Sequence, residues 1–435
     1  MKISLGTTTL RVLGRNRDFR ALWIGQACSA LGDPIFPFAI AFLALDRGEN
    51  AIGVGSVLAA RALATVCATL VGGVFADRFR RTRIMIVADV VRLTVILAII
   101  AVAEQTPLFF LALLVFVVGL GEAAFRPAYS AVVPALVPPE DRQWANAMTT
   151  LARRGGGIAG PAIAAALVAA TSPQVALVVD AATFVISIAF LMLVREPKMT
   201  GEEGKAAPRR SFVADVREGF AAVVRRRWLA IEICAGTIQV TAALAPWLVL
   251  LPVVANGRQF GTAVYAGLLV AMSAGAVLGA LVGARISSTR PGVVASLALL
   301  PFTLALVGLA QHWPFVVLLI LHFAAGVGTE IYGVLWMTAI QRSVPANILG
   351  RVFAIDQLGS MALLPVGMVA AGALADAGGA RTVLMIAAAV NLVIAVGPLV
   401  FADVRVFADR DVATEPSGER DAAATATTAA GSGAG

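Results

Sequence analysis

The chain has 435 residues, 59% of them hydrophobic and only 14% charged, with a formal net charge of +8 and a mean hydropathy of +0.87. Soluble domains carry roughly 25% charged residues, so this composition excludes a water-soluble globule. Apolar runs of about 20 residues recur in place of short alternating strands, which excludes a membrane β-barrel and leaves helices, because lipid offers nothing to an unpaired backbone amide.

In chain order, a basic polar start (1–18) precedes six predicted spans at roughly 19–45, 52–76, 83–103, 107–136, 144–171 and 174–194. The start has no apolar core, so no cleaved signal peptide is expected and span 1 is expected to serve as the targeting signal. Midway along span 1 runs Ser29-Ala-Leu-Gly32-Asp33-Pro34, with Pro37 one turn on. Prolines there weaken the helix and can open backbone toward a cavity. Between spans 2 and 3 lies Gly73-Val-Phe-Ala-Asp77-Arg78-Phe-Arg80-Arg81-Thr-Arg83, a charged hairpin that has to sit at a membrane surface. Span 4 carries Glu122 and Arg126 four apart, on one helix face, as an expected ion pair lining a central cavity. Arg61 in span 2 and Arg92 in span 3 are expected to neutralise buried acids such as Asp89. Span 5 contains Arg153-Arg-Gly-Gly156-Gly-Ile-Ala-Gly160-Pro161. Gly155, Gly157 and Gly160 with Asp180 imitate a dinucleotide fingerprint, but no strand precedes them.

A polar segment (195–227) splits the spans six and six. Its second part places Phe212, Val213, Val216, Phe220, Val223 and Val224 at helical spacing, an expected amphipathic helix on the membrane surface. Six more spans follow at roughly 228–255, 261–286, 292–310, 313–340, 350–375 and 380–402. Span 8 repeats Gly275, Gly279 and Gly283, an expected partner surface for span 5. Span 10 holds His322, read as a satisfied core histidine, and Glu330 near Tyr332 and Trp336. Asp180 and Glu232 are read as lying near span ends, where they snorkel or cap. The tail (404–435) is expected to be disordered. The predicted units are therefore 1–18, 19–194, 195–227, 228–403 and 404–435.

With the amino terminus inside, 26 of the 34 Lys/Arg residues fall in segments on the side of the termini and three in the opposite loops. That bias predicts both termini in the cytoplasm, and makes the positive surplus topological rather than a nucleic-acid footprint. The halves also echo each other. Trp23 is matched by Trp228, Gly73 by Gly279 and Arg142 by Arg351, at offsets of 205, 206 and 209 residues. Such landmarks predict two pseudo-symmetric six-helix bundles with a site between them.

Several of these segments resemble the major facilitator superfamily. The hairpin after span 2 resembles its cytoplasmic signature G-x-x-x-D-R-x-x-R. The span 5 segment resembles the Gly-Pro motif of exporters, with Ala147 and Ala164-Ala165 where that motif carries glycine. Gln341-Arg-Ser-Val-Pro345 and Asp215-Val-Arg-Glu-Gly-Phe resemble the linkers of the branch that includes macrolide efflux pumps and enterobactin exporters. The resemblance covers residues 16–403. It implies an all-α fold of twelve transmembrane helices and secondary active export of small amphiphilic compounds by proton antiport. It also implies a cell-membrane protein that works as a monomer, needs no cofactor beyond the proton gradient and is not an enzyme. On the same analogy Asp77 faces the start of span 11, as a latch oriented by Gly73, Arg78, Arg81 and Arg83. The motif of Arg153, Gly156, Gly160 and Pro161 shapes a contact between spans 5 and 8.

Ionisable residues inside spans are functional candidates because each is costly in lipid. Asp33, Glu122, Arg126 and Glu330 are the candidates for proton coupling. An importer or uniporter of the same architecture and a non-transporting membrane scaffold are the alternatives. Intramembrane acids weigh against the scaffold. No metal cluster and no phosphate-binding loop is present in the sequence.

Overall fold

The computed structural model describes residues 16–75, 80–102, 105–196, 212–257 and 261–408, and those residues form helices joined by short turns. Asp77 and Arg78 lie outside them. Eleven helical spans are long and apolar enough to cross a membrane. A twelfth helix, Arg142–Ala170, is as long but less apolar. It packs against spans 1, 6 and 8.

Span 1 is two helices, Arg17–Gly32 and Ile35–Asp46, broken where Asp33 meets Pro34. Proline has no amide to donate, so the ladder is interrupted there. Spans 2 to 6 are Ala51–Phe75, Arg81–Val102, Leu108–Leu136, Arg142–Ala170 and Pro173–Leu193. Span 7 comprises Arg227–Gln239 and Ala245–Asn256 around a π-helical turn, Val240–Leu244, just ahead of Pro246. Span 8 is Gly261–Gly283 and span 10 is Phe315–Ser343. Spans 9 and 11 are again split, near Pro301 and Pro365, into Pro291–Ala298 with Leu300–Ala310, and Ala346–Met361 with Leu364–Gly378. Span 12 begins with Ala380–Val396.

The core has the shape of a Y. One apolar cluster at the end remote from the termini joins both bundles: Phe38 and Phe42 of span 1 pack on Tyr265 of span 8, with ring centroids 4.7 and 5.7 Å apart. At the end bearing the termini, each bundle has its own core. One surrounds Phe19, Met85, Val132 and Leu191; the other surrounds Trp228, Trp336, Val352 and Phe407. At the remote end spans 2 and 11 are clamped. The Asp376 carboxylate accepts from the amides of Ala51 and Ile52, at 3.1 and 3.0 Å, and so caps the start of span 2 from the other bundle.

The linker helix is Phe212–Arg225. Ala222 and Val223 are buried against the carboxy-terminal bundle, whereas Phe220 and Val224 are exposed. Glu218 of this helix pairs with Arg351 at 2.8 Å. The chain continues packing beyond span 12, since Val404 and Phe407 are buried, the latter against Trp228 and Trp336.

The span 8 glycines do not face span 5. A methyl group on Gly275 or Gly279 would meet the carbonyl oxygens of Phe323 and Val327, and one on Gly283 would meet Val334. All three belong to span 10, so the stripe lets spans 8 and 10 of one bundle interlock at backbone distance.

Candidate functional site

The ionisable residues inside the spans gather in three places. The first is within the amino-terminal bundle. Arg92 of span 3 is buried and reaches Asp33 at the break of span 1, Nη2 to Oδ1 2.5 Å. The same guanidinium lies 3.6 Å from Asp89, one turn away, and stacks 4.1 Å above the Phe184 ring of span 6. Ser187 donates to Asp89 at 2.7 Å. Beside them Glu122 of span 4 is held by two arginines, Arg61 at 2.7 Å and Arg126 at 2.6 Å. The Glu122–Arg126 pair read from their spacing is therefore present, and span 2 adds a second cation. Arg126 itself is largely exposed, while Glu122 is buried. Gly121 makes room for the chain of Arg92, whose Cγ would lie 2.7 Å from an added Cβ.

The second place bridges the bundles. Arg154 of span 5 donates through both terminal nitrogens to the two carboxylate oxygens of Glu330 in span 10. Forked pairs of this kind are the strongest ion-pair geometry available to arginine. Arg153 of the motif is exposed, and its neighbour Arg154 makes the bridge. The signal for Arg154 was present. Gly156 and Gly160 pack on Ala30, Leu31 and Pro34 of span 1, so their face looks into their own bundle. Gly157 instead looks toward Ser273 of span 8. Arg154 lies three residues before Gly157, on that same face. Gly156 and Gly160 of the Gly-Pro element thus seat span 5 on span 1 rather than on span 8.

The third place is in the carboxy-terminal bundle. Tyr332 donates to Glu232 at 3.0 Å and stacks on Trp336, which donates to Asp356 at 3.2 Å. Glu232 is 4% exposed and Asp180 is 0% exposed. Neither acid snorkels at a span end. Two helical turns past Pro173, Asp180 has turned toward span 1, where its Oδ1 would be 2.6 Å from a methyl on Gly32. Span 7 likewise carries Glu232 inward from Arg227. His322 is the satisfied core residue expected of it: Nε2 accepts from Trp247 at 3.2 Å and Nδ1 lies 2.8 Å from the Leu318 carbonyl.

Of the hairpin residues, Gly73 ends within the helix of span 2, Arg81 donates to the Ala131 carbonyl at 2.8 Å and Arg83 is exposed. Glu196 accepts from the amides of Arg81 and Thr82 and so caps span 3. Among the described residues no group of three His, Cys, Asp or Glu side chains converges as a metal site would require.

The family model of the Major Facilitator Superfamily matches residues 22–355. Macrolide efflux protein A of Streptococcus pyogenes is 24% identical over 82% of this chain and 89% of its own length. Multidrug efflux pump Tap of Mycolicibacterium fortuitum is 27% identical over 80% and 87%, and enterobactin exporter EntS of Shigella boydii 27% over 79% and 82%. Among solved structures, a bacterial homologue of the iron transporter ferroportin in its inward-facing state superposes with a TM-score of 0.67 at 18% identity, covering 88% of this chain and 98% of that one. The nucleoside transporter NupG gives 0.69 at 12% identity, over 88% and 98%.

Proposed function

This chain belongs to the major facilitator superfamily and is a transporter of the all-α, multi-pass membrane class, and on that premise we propose that it exports small amphiphilic compounds in exchange for protons. The observation that carries the proposal is the Arg154–Glu330 pair, which joins the two bundles through charges inside the spans. A charge pair there costs desolvation, and a protein that only had to hold two bundles together has apolar packing to do so. A pair that protonation or substrate can open provides a switch between two arrangements of the bundles. The efflux proteins among its relatives support export as the direction. The Y-shaped core supports alternating access, with the end bearing the termini as the open end and, from the charge bias, the cytoplasmic one. Asp33, Glu122 and Glu330 are then acids whose protonation releases Arg92, Arg61 with Arg126, and Arg154 respectively. Asp77 with Arg78, next to Arg81 and Arg83, would latch the cytoplasmic end against span 11.

Entry of one proton at ~100 mV supplies about 2.3 kcal/mol, enough for roughly a fortyfold substrate gradient. The test is flux in proteoliposomes under an imposed pH gradient, with a labelled macrolide and a catecholate siderophore as probes. Uphill accumulation that collapses with a proton ionophore is the expected result. Flux indifferent to the gradient would overturn antiport, and flux inward only would overturn export.

A further inference from the structure

The amino-terminal network holds four acids, Asp33, Asp89, Glu122 and Asp180, and three arginines, Arg61, Arg92 and Arg126. The arginines are already committed: Arg61 and Arg126 hold Glu122, and Arg92 is shared by Asp33 and Asp89. Asp180 is fully buried, and neither of its oxygens has a hydrogen-bond partner. An ionised carboxylate in such a place, with no donor and no cation of its own, is strongly disfavoured. The two cations that act on it, Arg92 and Arg61, are both engaged with other carboxylates. From the elements packed around span 6, Asp33 of span 1, Arg92 of span 3, Arg61 of span 2 and Glu122 of span 4 act on it, while Asp89 of span 3 is held by Ser187 two turns further along span 6. Span 5 brings Arg153, which is exposed, and Arg154, which is taken by Glu330.

Two further details bear on what the acid does. The Nε of Arg92 is buried without an acceptor, so this arginine has a donor to spare. Asp180 also lies directly against the backbone of Gly32, the residue before Asp33 at the break of span 1. Asp33 is the partly exposed member of its pair with Arg92, with 31% of its side chain accessible.

We propose that Asp180 is a proton-carrying acid, and that proton and guanidinium change partners across Arg92 during the transport cycle. In the conformation described, the proton sits on Asp180 and Arg92 on Asp33. In the alternative, Arg92 turns to an ionised Asp180, and the proton it has released is held by Asp33 or passed to water. Because both acids flank the break of span 1, the exchange acts on its hinge. This inference rests on the antiport reading for its place in the cycle.

The test is infrared difference spectroscopy on the full chain in nanodiscs, paired with the flux assay. The expected result at neutral pH is a carbonyl band of a protonated carboxylic acid that disappears in Asp180→Asn and persists in Asp33→Asn. Asp180→Asn is expected to retain downhill exchange of whichever probe the wild type transports, and to lose uphill accumulation. Asp180→Glu, which keeps the acid, should shift the band and restore accumulation; it also serves if the asparagine variant does not fold. A band unaltered by both substitutions, or full uphill accumulation by Asp180→Asn, would overturn the proposal. A wild type without gradient-driven flux whose band still follows Asp180 would overturn antiport and leave the protonation of Asp180 standing.

Discussion

Glu330→Gln keeps the shape of the side chain and removes the charge that ties span 10 to Arg154 of span 5. Two unit charges about 4 Å apart attract by about 4 kcal/mol at an effective dielectric of ~20. The Arg154 side chain is 38% exposed and that of Glu330 25%, so solvent screens the pair. Exposed pairs yield about 1 kcal/mol or less, which brackets this one at about 1–3 kcal/mol. If the pair exists in only one arrangement of the bundles, its loss shifts the balance between arrangements by about 5- to 150-fold. Spin labels at Gln143 and Gln341, both exposed near the end bearing the termini, would report the shift as a redistribution of distances. Cys28, Cys67 and Cys234 are unpaired thiols and would be replaced first. The cycle is completed with Arg154→Gln and the double variant. Additive effects, with no coupling between the two positions, would refute the bridge as a determinant of conformation.

Two further outcomes follow from backbone contacts. Gly156→Ala would place a methyl 1.9 Å from the Ala30 carbonyl oxygen, so spans 1 and 5 must separate; it should cost about 1–3 kcal/mol, read as a lowered Tm in detergent. Gly155→Ala, with open space around it, is the control and should be neutral or gain up to about 1 kcal/mol in helix propensity. Asp376→Ala removes both acceptors at the start of span 2 and should cost about 0.5–2 kcal/mol. Labels at Gln105 and Gly378 should then report more opening at the remote end, and an unaltered distance distribution would count against the clamp.

Much of the architecture was legible in the chain because lipid imposes a strict rule. Every span must be helical and long enough, so apolar runs bounded by charged or proline-containing turns reveal the elements directly. Span 5 shows the limit of that signal: it is as long as its neighbours, yet its composition is less apolar. The Glu122–Arg126 pair was legible because residues four apart share a helix face. The burial of Asp180 is not legible in the chain, because position along a span does not give depth. What decides burial is the rotation of the helix about its axis, and that follows from packing on span 1.

The class of the protein, its spans, its duplication and the family resemblance can all be read from the linear chain. All of these reside in hydropathy and local motifs, which are read along one dimension. The partners emerge from helix packing alone: Arg154 rather than Arg153 for Glu330, Arg61 as well as Arg126 for Glu122, span 10 rather than span 5 for the glycines of span 8, and no hydrogen-bond partner for the Asp180 carboxylate. Each of those choices depends on how one helix is rotated and shifted against another. Side-chain packing between distant segments sets that geometry, and no local pattern encodes it.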